Sequence, residues 1–221
     1  MPGYSTERIR RAIVMAADAH KDQKRKEKGI PFISHPLGVA IRLALNPNMD
    51  EDVIVAAILH DTLEDTKLSP KKILKAFGEN VVRIVFASTE PDKRLAWKTR
   101  KQHTIETIKK ANLQIKLVAC ADKLDNLQSI QDAIKAEGKI KIPEDVPTAK
   151  VWGSFREGYE QQKRYYQEVA KALFANIAYD DLPIIFGKYM RLVEKLFGEQ
   201  VIFDKKARAN VRRRNKPRKT V

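Results

Sequence analysis

Residues 58–66 read ILHDTLEDT, so that His60-Asp61 follows an apolar run and is itself followed, three residues on, by the acidic pair Glu64-Asp65. On a helix, at about 100° per residue, His60, Asp61 and Glu64 project from adjoining parts of one face with Asp65 beside them. Carboxylates crowded in this way repel one another. Burying an unpaired one costs on the order of several kcal/mol or forces its protonation, whereas a divalent cation makes the same cluster favourable. A His-Asp pair cannot complete a metal site, so further ligands must come from other helices. The stretch CADKLDN places Asp122 and Asn126 four residues apart on a helix that otherwise carries Leu117, Val118, Cys120, Ala121, Leu124 and Leu127, and His35 in ISHP supplies a fourth ligand. Two imidazoles and two carboxylates suit a borderline or moderately hard divalent ion, Mn²⁺ especially, with positions left open for water and a phosphate oxygen. No second ligand set is visible, so one ion is expected. Taken singly, each motif has a plainer reading. A helix histidine beside an acid arises by chance, a histidine before proline is often a cap, and a helix asparagine is often satisfied internally. The weight rests on the combination of His35, His60-Asp61 and Asp122, each in an apolar context.

The elements that must position these residues read as helices almost throughout. Ile9, Ile13, Ala16 and His20 recur at helical steps after a possible Ser5 cap, which puts His20 on the buried stripe. A polar loop, KDQKRKEKG, leads to a helix that Pro36 is expected to start, with His35 in its N-cap region and Val39, Ala40 and Leu43 on its apolar side. Asp50 is the expected cap of a helix running through Val53, Ile54, Ala57 and Ile58 into the acidic motif. Ser69-Pro70 opens the next helix and Gly78 closes it. Further helices are expected at 79–88, 97–111, 113–136, 150–176 and 181–197, the last closed by Gly198. No alternating strand pattern, internal repeat or Gly/Ser-rich linker appears, which points to one all-α domain with a charged tail.

The chain has 221 residues and a formal charge of +15, enough length for one well-packed domain. Its charge is unevenly placed: residues 205–221 hold nine Lys or Arg and no acid, which leaves the remainder at +6. The single Cys120 excludes an internal disulfide, and the N-terminal MPGYSTERIRR lacks the apolar stretch of a signal or membrane anchor. A cytoplasmic location is the expectation.

HKDQKRKEKGIPFISHP, AAILHDTLEDT, FGENVVRIV and LVACADKLDNL, in this order and spacing, resemble the HD-type hydrolase domain of the RelA/SpoT homologues, and most of all the stand-alone small alarmone hydrolases. The resemblance spans about residues 5–175. It implies an HD-domain helical bundle and Mn²⁺-dependent removal of the 3′-pyrophosphate from ppGpp or pppGpp, giving GDP or GTP and pyrophosphate. Carried over by position, it implies His35, His60, Asp61 and Asp122 as metal ligands and Glu64 and Asp65 as the pair that positions and deprotonates the attacking water, Glu64 being preferred as general base. It implies Asn126 on the ribose and Arg25 and Lys26 facing the substrate.

Lys24 lies in the same basic loop and joins that pair as a substrate contact. Lys123, Arg100 and Lys101 are weaker phosphate-binding candidates. The segment VWGSFREGYEQQKRYYQEVAKAL resembles the last helix of the small-hydrolase domain, which makes Tyr165 and Tyr166 candidates to close over the nucleotide, although Trp152, Phe155, Tyr159, Tyr166 and Leu173 also fit an ordinary packing stripe. The expected organisation is a hydrolase domain over 1–178, a helical extension over 179–203 that packs separately or stays partly mobile, and a flexible basic tail over 204–221. There is no room after the hydrolase region for an alarmone-synthesising domain, so synthesis is not expected. The expected partner is a small nucleotide, with weak nucleic-acid binding through 205–221, no membrane, and an assembly of one or two chains. The alternatives are the same chemistry on an adenine alarmone, NADPH or another nucleotide, or an RNA- or ribosome-associated protein acting through the tail.

Overall fold

Local rules account for most of the helices in the computed structural model, which describes residues 4–25, 29–90, 92–138, 144–178 and 181–198. Ten α-helices run through the described residues, with no extended strand among them. Helix α1 (Thr6–Ala19) is capped by Ser5, whose side chain accepts from Arg8 N at 3.3 Å. Its Arg8 guanidinium reaches Glu51 at 2.9 Å, Asp52 at 2.5 Å and the carbonyl of Phe77 at 2.9 Å. One side chain therefore ties α1 to the start of α3 (Glu51–Leu59) and the end of α5 (Pro70–Phe77).

Helix α2 (Ser34–Ala44) starts two residues before the expected Pro36, with Ile33 at its cap, so His35 lies inside the first turn. Proline is tolerated there because N–H groups of the first turn have no intrahelical acceptor. Helix α3 (Glu51–Leu59) is capped by Asp50, which accepts from Asp52 N at 2.9 Å, and every residue from Val53 to Leu59 is buried.

The run does not continue smoothly into the acidic motif. Helix α3 ends at Leu59 and a separate turn, α4 (Thr62–Asp65), follows, with Asp61 at φ −91°, ψ −8°. Side chains take up carbonyls freed by the break: His60 Nδ1 donates to Ala57 O at 2.8 Å and the Thr62 hydroxyl to Leu59 O at 2.6 Å. The single helical face expected for His60, Asp61 and Glu64 is thus replaced by a bend.

Helix α5 (Pro70–Phe77) ends at Gly78, whose φ of +90° a residue with a Cβ rarely adopts. Helices α6 (Glu79–Ser88), α7 (Trp97–Lys110) and α8 (Leu113–Ala136) follow closely where periodicity puts them. Helix α8 is the axis of the fold and packs against α2, α3, α6 and the last described helix, α10 (Ile184–Phe197). The expected helix at 150–176 is shorter. Two 3₁₀ turns, Val146–Thr148 and Lys150–Ser154, precede α9 (Gly158–Phe174), and the Trp152 indole folds back onto Val146 O at 2.6 Å.

Helix α10 (Ile184–Phe197) does not stand apart but packs on α8 and α9 within the same core. Tyr189 is fully buried and donates to Tyr166 O at 2.9 Å, while Phe197 stacks on the Tyr166 ring at 5.9 Å. At the end of α9 the buried Lys116 reaches across from α8 and donates to the carbonyls of Ala172 at 3.1 Å, Leu173 at 3.3 Å and Ala175. Burial lowers its pKa. The ammonium satisfies carbonyls that a helix C-terminus leaves unpaired, where the helix dipole also favours a cation. Lys116→Met should therefore lower stability by about 1–3 kcal/mol, because it removes the donor and keeps the stem. Denaturant unfolding checks this, and an unchanged midpoint would contradict it.

Candidate active site

The bend after α3, the first turn of α2 and the middle of α8 meet at one point. His35 Nε2 lies 3.2 Å from Asp122 Oδ1 and 3.6 Å from Asp61 Oδ2. His60 Nε2 lies 3.1 Å from Asp61 Oδ1 and 3.9 Å from Asp122 Oδ1. The ligand atoms of His35, His60 and Asp122 all fall within 4.8 Å of one another. Both imidazoles are buried, at 4 % and 1 % exposure.

The donor chemistry fits a divalent cation. Because His60 Nδ1 is committed to Ala57 O, Nε2 is left to face the cluster, and there it is buried without a well-directed hydrogen bond. A buried orphan nitrogen facing two carboxylates and a second imidazole is what a ligand set presents. Electrostatics agree. Burial opposes charge on His35, but hydrogen bonds to Asp122 and Asp125 and the charges of Asp122 and Asp61 outweigh it, and its pKa rises to about 9. Asp122 is held well below the ordinary carboxylate range because Lys123, His35 and His60 outweigh the cost of burying it. The cluster attracts positive charge from whatever source supplies it.

Glu64 and Asp65, on the short α4, border this cluster. The Glu64 carboxylate accepts from Glu90 N at 2.9 Å. Burial raises its pKa, the Glu90 amide opposes this, and the charges of Glu90, Asp61 and Asp65 add to the rise. A carboxyl group shifted toward neutrality is a better proton acceptor for water than an ordinary one. Asp65 is more exposed, pairs with Lys93, and has its backbone carbonyl held by Gln23 Nε2 at 2.6 Å.

A cavity of ≈ 640 Å³ is lined by these acids together with Lys24, Arg25, Arg100, Lys101, Lys123 and Asn126. Asn126 donates to Asp122 Oδ1 at 2.8 Å and Lys123 to Asp122 Oδ2 at 2.6 Å. Arg100 and Lys101 both pair with Glu90, each at 2.5 Å. Lys26 lies outside the described residues. Tyr165 and Tyr166 do not line this cavity but an adjoining one of ≈ 250 Å³, which shares Arg25, Lys101, Lys123 and Asn126 with it. Tyr165 packs edge-on against Trp97 at 6.0 Å, with Lys101 Nζ 5.1 Å from its ring centroid. Tyr166 is held on its other side by α10. A larger cavity of ≈ 980 Å³ beside α1 shares only Gln23 and Asp65 with the one over the acids, and no imidazole lines it. Size alone does not locate the chemistry.

Three neighbours of the cluster lie outside the site residues expected from the sequence. Asp125 accepts from His35 Nδ1 at 2.8 Å, Glu90 anchors both Glu64 and the Arg100-Lys101 pair, and Gln23 links the loop after α1 to Asp65. Asp125 stands inside ADKLDN and was within reach of a helical-spacing argument, being three residues from Asp122. Glu90 sits in STEPDK, where no periodicity marks it.

Comparison with known proteins bears on this arrangement. The HD domain family matches residues 12–152. A Drosophila melanogaster protein named guanosine-3′,5′-bis(diphosphate) 3′-pyrophosphohydrolase MESH1 is 36 % identical over 133 residues, which cover 59 % of this chain and 74 % of the relative. The crystal structure of a Listeria monocytogenes protein superposes with a TM-score of 0.65 at 38 % identity, over 75 % of this chain and 99 % of that one. A second structure, described as a metazoan orthologue of SpoT that hydrolyses ppGpp, superposes with a TM-score of 0.67 at 29 % identity, over 86 % of this chain and 95 % of that one. By the extent of these matches and the histidine–aspartate cluster they enclose, the chain belongs to the HD-domain family of hydrolases, with RelA/SpoT-type 3′-pyrophosphohydrolases as its relatives.

Proposed function

We propose that the protein removes the 3′-pyrophosphate of ppGpp or pppGpp, giving GDP or GTP and pyrophosphate, with one Mn²⁺ held by His35, His60, Asp61 and Asp122. The observation that carries this reading is the buried His60 Nε2, without a well-directed hydrogen bond, facing Asp61, Asp122 and His35, which themselves line a cavity that also holds five cationic side chains. When bound, a divalent cation lowers the pKa of water toward neutrality and offsets charge on phosphate. Glu64 accepts the proton of the attacking water, and Asp65 helps to place that water. Attack at the 3′-phosphorus breaks its bond to the ribose 3′-oxygen, which leaves as the hydroxyl by taking the proton that Glu64 removed from water, returning Glu64 to its carboxylate. Lys24 and Arg25 meet the substrate's negative charge, and a guanidinium can fork onto phosphate oxygens or stack on a base. Lys123 and Arg100 add to that field, although each already serves a carboxylate. Asn126 can both donate to and accept from a ribose hydroxyl. Tyr165, with Tyr166 behind it, flanks the adjoining recess as a surface for the rest of the nucleotide. Lys26 is proposed as a further contact from its place in the loop.

The test is incubation of Mn²⁺-loaded protein with guanine and adenine alarmones, NADPH and ordinary nucleotides, with products resolved by chromatography. GDP or GTP with pyrophosphate is expected from the guanine alarmones. Their survival while another nucleotide is consumed would keep the metal chemistry and overturn the substrate. No helix among the described residues is long and apolar enough to cross a membrane, and a cytoplasmic setting is part of the same proposal. The basic tail lies outside the described residues. Nucleic-acid binding through it is a separate matter, read out as salt-sensitive RNA retention that is lost on truncation at Asp204.

A further inference from the structure

Asp125 is a carboxylate with three cationic or polar donors and no expected role in the reaction above. Its Oδ2 accepts from His35 Nδ1 at 2.8 Å and from Arg25 at 3.3 Å, while Oδ1 accepts from Arg42 Nε at 3.2 Å. The approach is close because α2 carries glycine where it passes. A Cβ on Gly38 would stand 2.9 Å from Asp125 Oδ1, nearer than such contacts allow. Arg25 is further tied to Ser129 Oγ at 3.1 Å. One carboxylate oxygen of α8 therefore connects a proposed metal ligand, 90 residues away from Asp125 in sequence, to a proposed substrate contact 100 residues away from it.

We infer that Asp125 is a positioning residue which fixes the ring of His35 and, through the same oxygen, holds Arg25 in the lining of the cavity. An imidazole has two nitrogens, and the hydrogen bond made by one decides what the other can do. With Nδ1–H committed to Asp125, Nε2 is the nitrogen directed at Asp122 and Asp61, the side on which a cation fits. Partners of this kind orient a ligand and raise its basicity, and losing one typically weakens metal affinity 10- to 100-fold. The competing explanation is a purely structural ion cluster fastening α2 to α8. Arg42 separates the two, because it shares Asp125 through Oδ1 and does not belong to the proposed metal or substrate contacts.

The inference rests on the cation-binding reading, so the experiment measures binding without turnover. Mn²⁺ is titrated into wild type, Asp125→Ala, Asp125→Asn and Arg42→Ala, free ion is followed by electron paramagnetic resonance, and melting temperatures are recorded alongside. Asp125→Ala should bind Mn²⁺ about 10- to 100-fold more weakly. Asp125→Asn should recover most of that loss, because a carboxamide oxygen still accepts from Nδ1–H. Arg42→Ala should keep wild-type affinity even where it lowers the melting temperature. At saturating Mn²⁺, Asp125→Ala should regain kcat while its KM stays raised on the order of tenfold, since Arg25 has lost a charged hydrogen-bond partner. If Asp125→Ala does not fold, Gly38→Ala carries the test, because the added methyl displaces the carboxylate without removing it. Weakened Mn²⁺ binding in Gly38→Ala supports the inference and wild-type binding overturns it. Equal affinity in wild type and Asp125→Ala, or an equal loss in Arg42→Ala, overturns the positioning role alone. A wild-type protein that takes up no Mn²⁺ overturns the cation reading with it.

Discussion

Asp122→Ala should abolish both Mn²⁺ binding and turnover, the largest effect expected of any single replacement in this protein. Asp122 Oδ1 is the atom that approaches both imidazoles, at 3.2 Å from His35 and 3.9 Å from His60, so its removal opens the ligand set at its centre. A bound cation contributes several kcal/mol of charge stabilisation, and each 1.36 kcal/mol is a factor of ten, so the loss is on the order of 10³ or more. The substitution also strips the half-buried Lys123 of its counter-charge, which makes a melting curve part of the measurement. Asp122→Asn, which keeps the shape, should fold and still fail to bind. His60→Ala should do the same from another element, because it removes the orphan nitrogen. Full activity in metal-free Asp122→Ala would sink the mechanism.

The second large effect separates binding from chemistry. Glu64→Gln should leave Mn²⁺ affinity and KM near wild type while kcat falls by a factor on the order of 10² to 10⁴, the range for loss of a general base. The amide oxygen can still accept from Glu90 N, so the local frame persists, but the side chain can no longer take a proton from water. Single-turnover rates with metal titrations on the same protein check both halves. A variant that loses its cation instead would make Glu64 a ligand, and one that keeps full kcat would pass the role of base to Asp65.

The two replacements also show how unevenly the site could be read from sequence. His60-Asp61 and Glu64-Asp65 are adjacent residues whose types speak for themselves. What brings them together is a bend in the chain and not the face of one continuous helix. The bend is held by His60 Nδ1 and the Thr62 hydroxyl on freed carbonyls, and such local side-chain bonds compete with helix continuation in ways that spacing does not reveal. For the tyrosines, spacing marks the segment but not the recess: Tyr165 and Tyr166 line the smaller cavity because α10 and Trp97 fix their rings.

By itself the sequence determined that the chain is helical, where most helices start and stop, and which residue types are present to bind a cation. These are short-range matters, decided by apolar spacing and by caps such as Ser5, Asp50, Gly78 and Gly198 within a turn or so of themselves. Only the tertiary structure decided that Asp125 meets His35 across 90 residues, that the Glu90 amide holds Glu64 across 26, that Lys116 reaches the end of α9, and that α10 completes the core rather than standing apart. Those contacts depend on which helices pack together and at what distance, and a pattern read along one helix carries no information about the side chains of another.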